Sequence, residues 1–355
     1  MRLNSLKAIL KTAVLGAAVL LIGAGGARAQ QQINLIAQPT NAVLPDGSSV
    51  PMWGYSCGAV VTTSSATCAP LNKNAGTAVA ATTTLPAVPG WSPVVITIPT
   101  TATGGLTINL TNNLVFANGN SVPTSLMIVG QVGGGLGVLA QRTTTPSPVH
   151  GAQSTTWPTA NVAGVENIPP SQGPRVRSFG TEVAAVAASA TPTGTPLTWP
   201  LLKPGTYLLE SGTHPSIQVP MGLYGILVVT AAPTATTAGV ETAVGTAYPG
   251  VTYDAEVPVE LSELDPVQNN LVSTAVNLPG FSETTVWSGQ PGGCGNPATA
   301  NAGNCYPPAV NYTPLYYMIN GVAFNKTVPG NSVFPITPAT IAPAACGGAP
   351  LIMKS

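Results

Sequence analysis

The chain has 355 residues, with 11 Lys and Arg, 11 Asp and Glu, two His and five Cys, and only 6% of it is charged, against about 25% in ordinary soluble domains. No basic stripe is present to follow a phosphate backbone, which argues against nucleic acid as a partner, and two His are too few for a multi-metal redox site. The 39 Gly and 36 Pro raise the question of disorder, but 44% of residues are apolar and fall in short runs between turn signals, as strands do.

The first 29 residues read as a signal peptide. Arg2, Lys7 and Lys11 form a basic region, Thr12 to Ala24 an apolar one, and Ala27-Arg28-Ala29 places small residues where a signal peptidase reads them, so cleavage is expected before Gln30. The apolar run is shorter than the roughly 20 residues that span a bilayer. Four basic residues (Arg2, Lys7, Lys11, Arg28) leave with it, so 7 Lys and Arg remain against 11 Asp and Glu, a net charge of −4. No later segment is long and apolar enough for a membrane span, and a periplasmic or extracellular protein is expected.

Strands follow in short pieces. Val94 to Ile98 lies between two prolines, and Leu106, Ile108 and Leu110 alternate with Thr107, Asn109 and Thr111, a period of two that buries one face. Asn118-Gly119-Asn120 is a turn, Ser125 to Gly130 a strand, and Gly133 to Gly137 a flexible loop. Tyr207 to Leu209 and Leu223 to Val229 are further strands. Tyr253, Ala255, Val257, Val259 and Leu261 form one face of another, set at an edge by Pro258. Its acidic neighbours Asp254, Glu256, Glu260, Glu263 and Asp265 read as a solvated face, with Ca²⁺ binding as the less favoured alternative. No stretch beyond the signal holds a long helical period. Residues 231–248 read as a linker, 266–314 as nearly patternless, and Tyr316 to Ile319 as the last clear strand.

Export brings the cysteines into an oxidising compartment. Cys57 with Cys68 encloses ten residues of a Gly/Ser/Thr loop and Cys294 with Cys305 ten of a Gly/Asn/Ala loop, and local pairing is favoured, although four cysteines allow three connectivities. Cys346 is left over.

Four stretches in order resemble the multicopper oxidase family. They are LTINLTNN (106–113) followed by PTSLMIVGQ (123–131), KPGTYLLESGTHPSIQVPMGLYGILVV (203–229), YDAEVPVELSEL (253–264), and YYMINGVAF (316–324). The resemblance covers about residues 100–335 and implies cupredoxin (plastocyanin-like) domains, copper as cofactor and copper-dependent oxidoreductase activity. The departures fall on the ligands. Where the family carries His-Trp-His-Gly the chain has Met127-Ile128-Val129-Gly130, and where it carries His-Ser-His the chain has Glu210-Ser211-Gly212, with His214 displaced. Neither thioether nor alkyl groups replace paired imidazoles.

The expected architecture is therefore all-β: a cupredoxin-like Greek-key β-sandwich with long Pro/Gly-rich loops over residues 30–230, a linker and disulfide-tied extension over 231–314, and the start of an incomplete second cupredoxin-like domain over 315–355. His214 is the one weak candidate metal ligand, more readily a hydrogen-bonded turn residue. His150 reads as a solvated loop residue, and Cys346 with Met353 lacks any nearby His. Glu210-Ser211-Gly212-Thr213-His214 places acid, hydroxyl and imidazole together but lacks the G-x-S-x-G elbow, and no catalytic residue is expected. The family implies a copper oxidoreductase; the residues favour a copper-free structural or binding module, or a weak single-site metal binder. A protein partner at the exposed C-terminal strand is expected.

Overall fold

A computed structural model describes residues 30–72, 75, 90–102, 104–145, 173–186, 194–235, 241–283 and 312–325. In chain order the strands begin with β1 (Gln31–Val43), β2 (Ser49–Cys57), β3 (Thr67–Pro70), β4 (Val94–Pro99), β5 (Leu106–Asn112) and β6 (Met127–Ile128). Then come β7 (Thr143–Thr145), β8 (Arg175–Ser178), β9 (Thr195–Trp199), β10 (Gly205–Glu210), the one-turn helix α1 (Pro215–Gln218) and β11 (Tyr224–Thr230). The C-terminal part holds β12 (Thr234–Ala235), β13 (Glu241–Ala243), β14 (Gly245–Tyr248), β15 (Val251–Tyr253), β16 (Leu261–Leu264), helix α2 (Pro266–Val276), β17 (Tyr316–Ile319) and β18 (Val322–Ala323). The signal-like residues 1–29, together with His150, Cys294, Cys305, Cys346 and Met353, lie outside the described residues.

Two mixed sheets carry the fold, a four-stranded one in the order β2-β1-β5-β9 and a five-stranded one in the order β3-β4-β11-β10-β6. In the first, β1 pairs in parallel with β5, so that Ile33 and Leu35 stand beside Ile108 and Leu110; in the second, β4 pairs in parallel with β11. Parallel neighbours cannot be joined by a tight hairpin, so the chain must cross between the sheets to return. That crossing makes the all-β, cupredoxin-like Greek-key sandwich expected from the sequence. Between the sheets Leu35, Ile96, Ile108, Leu126, Leu209 and Leu227 are fully buried around Trp53 and Trp199, and burial of each such aliphatic side chain stabilises the fold by roughly 1.5–3 kcal/mol. Cys57, at the end of β2 in one sheet, is disulfide-bonded to Cys68 in β3 of the other, with Cα atoms 5.7 Å apart.

Several local expectations need correction. The alternating run 253–261 is not one strand: β15 ends at Tyr253, β16 starts at Leu261, and residues 254–260 pass between them without regular structure. Pro258 offers no N–H to a ladder, and Glu260 turns inward. The acidic set is therefore not one solvated face, since Glu260 and Asp265 are buried. Residues 266–276 form a helix where the sequence showed no pattern. Asp265 caps it, its Oδ1 accepting from the N–H groups of Val267 (2.9 Å) and Gln268 (3.3 Å), and Pro266 occupies the first turn, where a missing N–H costs nothing. Val272, Ala275 and Val276 are buried, and the Asn269 side chain donates to the Pro51 carbonyl of β2. Nor is the Gly133–Gly137 run a loose loop. A Cβ on Gly133 would lie 2.4 Å from Trp199 Cδ1, and one on Gly134 2.6 Å from Cζ2, so the bare backbone seats the indole.

β16, β17 and β18 form a three-stranded antiparallel sheet. Its inner side, with Leu264, Met318 and Ala323, packs with Leu44, Val50, Met52, Trp91 and Tyr224. The Ile319-Asn320-Gly321 element is the turn between β17 and β18, with Asn320 at φ 52° and Gly321 at φ 78°, a pair of positive φ values that suits a two-residue hairpin. Asn320 also clamps the approach to β16: its Oδ1 accepts from Glu260 N and its Nδ2 donates to Pro258 O.

Candidate functional site

The two segments that carry the resemblance's departures, 127–129 and 210–212, do meet in space. Met127 lies opposite Glu210 across the antiparallel β6–β10 pair, and the Val129 N–H donates to the Leu208 carbonyl. Met127 also covers Gly212, where a Cβ would come within 2.7 Å of its Cγ and 3.0 Å of its Sδ. Val129 points outward, 47% exposed.

Behind Met127 the space is filled by hydroxyls and one amide. Ser211 Oγ and Thr124 Oγ1 both donate to Gln218 Oε1, at 2.6 and 2.8 Å, while Gln218 Nε2 donates to the Pro123 carbonyl at 2.8 Å. Ser125, Ser178 and Thr213 form a triangle of hydroxyl contacts, each 3.0 Å. The Tyr55 hydroxyl donates to the Ser125 carbonyl, and burial drives its phenol far above the ordinary range. All six Ser, Thr and Gln residues are fully buried, so their polar atoms satisfy one another rather than water. One-turn helix α1 brings Gln218 into this network; nothing in the sequence pattern singled it out. Burial also raises the Glu210 carboxyl above its usual range.

His214 starts α1 in a left-handed conformation (φ 40°, ψ 57°), donating its N–H to the Arg177 carbonyl at 2.9 Å. Its Nε2 lies 3.6 Å from Glu283 Oε2, and the other Glu283 oxygen is 3.3 Å from Arg177 Nη1. Arg177 in turn pairs with Glu182 through both Nε and Nη2. In a chain this poor in charge, four charged or ionisable side chains from three segments gather at one place. The hydroxyl of Ser211 is directed to Gln218, so the Glu210–His214 run does not set a nucleophile against an imidazole base.

Copper fits this arrangement poorly. A type 1 or trinuclear copper site needs several imidazoles, or imidazoles with a thiolate. Here positions 127, 129, 210 and 212 carry a thioether, an alkyl group, a carboxyl and a bare glycine, the adjoining hydroxyls are engaged with each other, and His214 faces an ion pair. Among the described residues no group of three or more His, Cys, Asp or Glu converges as a metal site.

No family model matches the chain, and no curated protein matches it. Among solved structures it is similar to a multi-copper oxidase from Pseudomonas thermotolerans, at 14% identity over 56% of this chain and 29% of that one, with a TM-score of 0.27. It is also similar to Fet3p, described as a multicopper oxidase that functions in iron import (13% identity, 82% and 33% covered, TM-score 0.31), and to the multicopper oxidase mgLAC (13%, 82% and 54%, TM-score 0.29). The chain thus spans between about a third and a half of those structures' lengths. At such scores the likeness carries no functional argument, and the fold class rests on the chain's own sheets.

Proposed function

We propose that the chain is an exported, cupredoxin-like binding module that works without a resident copper cluster. The observation that carries this reading is the closed network of Thr124, Ser125, Ser178, Ser211, Thr213 and Gln218 behind Met127 and Gly212. Such a network stabilises a sandwich end, and its hydroxyls hold their protons at neutral pH, which makes them poor ligands for copper. Export is supported by the signal-like first 29 residues and by the Cys57–Cys68 disulfide, a bond that persists in oxidising compartments. Among the described residues no helix is long and apolar enough to cross a membrane.

Elemental analysis of chain purified from copper-replete medium tests the reading, alongside oxygen uptake with a phenolic donor. Substoichiometric copper that leaves on mild chelation is expected. Two or more coppers per chain after dialysis, or steady oxygen consumption, would overturn it. Replacing His214 with Ala should leave even that residual copper unchanged.

A protein partner at the C-terminal strand is a second reading, favoured by the outer side of the β16–β17 pair. Leu261 (75% exposed) and Ile319 (44%) are register partners there, beside Tyr317 (67%). A partner seated on them should be lost on the change of Leu261 to Lys.

A further inference from the structure

The outer face of the five-stranded sheet carries a cleft of about 290 Å³, at the lower end of the range for small-molecule sites. Its floor follows from strand register. Thr67, Thr97, Val228 and Thr206 stand side by side across β3, β4, β11 and β10, with Ala69 and Val95 in the next row. Residues Val257, Pro258 and Val259 of the irregular 254–260 segment form the opposite wall. Tyr248 closes one end by approaching Gly205, where a Cβ would meet its Cε1 at 3.2 Å and φ is 143°; a larger residue would push the ring away.

The lining is apolar and threonine-rich, with one ionisable acid and no base: Glu256. Its Oε2 accepts from the Tyr253 hydroxyl at 2.8 Å, and that hydroxyl also lies 2.6 Å from Thr230 Oγ1. The carboxylate is thus held against the wall through one of its two oxygens. A fixed carboxylate beside apolar walls favours a cation and disfavours an anion, because a charge-assisted hydrogen bond is stronger than a neutral one.

We infer that this cleft binds a small amine with a compact apolar body, the ammonium on Glu256 and the body over Val95 and Val228. The inference goes beyond the binding-module reading and does not depend on it, since the cleft would serve a copper-bearing chain equally well. Metal analysis decides that reading and ligand binding decides this one.

Phenethylamine is the probe, with 2-phenylethanol and 3-phenylpropionate as its neutral and anionic counterparts, titrated into the purified chain by calorimetry and by NMR shifts. The amine should bind at least about tenfold tighter than the alcohol, with the propionate weakest. Glu256→Gln keeps an acceptor for Tyr253 and should reduce the amine to the level of the alcohol. Thr206→Trp, on an open strand position that tolerates aromatics, should fill the cleft and abolish binding of both without lowering the unfolding midpoint. An amine preference that survives Glu256→Gln, unchanged binding in Thr206→Trp, or no saturation by any probe up to about 10 mM overturns the assignment.

Discussion

Where the chain enters β16, Glu260 is only 7% exposed, and neither carboxyl oxygen has a hydrogen-bond partner among the described residues. Burial pushes its pKa from 4.5 up to about 8. The Tyr224 phenol nearby is itself raised, chiefly by its own burial and further by the Glu260 charge, and a phenol, neutral or ionised, carries no positive charge to offset a carboxylate. The sign follows from proton counting. Between about pH 4.5 and 8 the folded chain holds a proton that the unfolded chain has released, so raising the pH favours unfolding. Stability from this group is fully present below pH 4.5 and lost as the pH rises through 8, at up to about 1.4 kcal/mol per pH unit, with a ceiling near 5 kcal/mol. Glu210, also raised by burial, acts with the same sign. Urea unfolding between about pH 5.5 and 8.5, without reductant, should show the midpoint falling as the pH rises. Glu260→Gln should flatten most of that fall. The amide is left buried and unsatisfied, which costs about 1–3 kcal/mol at every pH, so slopes rather than absolute stabilities are compared. Parallel profiles for the two proteins, or a parent profile that does not fall, would refute the reasoning.

Two other positions give independent expectations. Asp265→Ala removes the cap of α2 and also the acceptor of the Thr313 N–H on Oδ2 at 2.9 Å; a loss of about 2 kcal/mol is expected by urea unfolding, with Asp265→Asn retaining part of it. Gly133→Ala drives a methyl into the Trp199 indole, and about 1–3 kcal/mol should be lost, together with a change in the near-ultraviolet dichroism of the buried tryptophan; an unaltered spectrum and midpoint would show that the glycine seat is not needed.

Much of the fold was legible from local signals. The alternation of Leu106, Ile108 and Leu110 with threonine and asparagine places one face in the core, and all three are fully buried in β5. Asn118-Gly119 adopts the positive φ values of its turn, 60° and 73°. Cys57 and Cys68 pair as their spacing favoured. That residues 127–129 and 210–212 carry no imidazole was equally plain, because it is read directly from the sequence.

What the tertiary structure decided are the properties that depend on residues far apart in the chain. Asp265-Pro266 is a recognisable helix start, but α2 carries amides on its buried side, Gln268 and Asn269, that satisfy partners on other segments, and this masks its apolar period. The same local pattern admits Glu260 and Glu256 as solvated acids; only the packing of the 254–260 segment buries the first and sets the second in the lining of a cleft. Gly133 and Gly134 read as flexibility until Trp199, from β9, comes to lie on them. Local alternation and turn chemistry act within a few residues and survive in the sequence, whereas desolvation and close packing are set by whichever distant segments the sheets bring together.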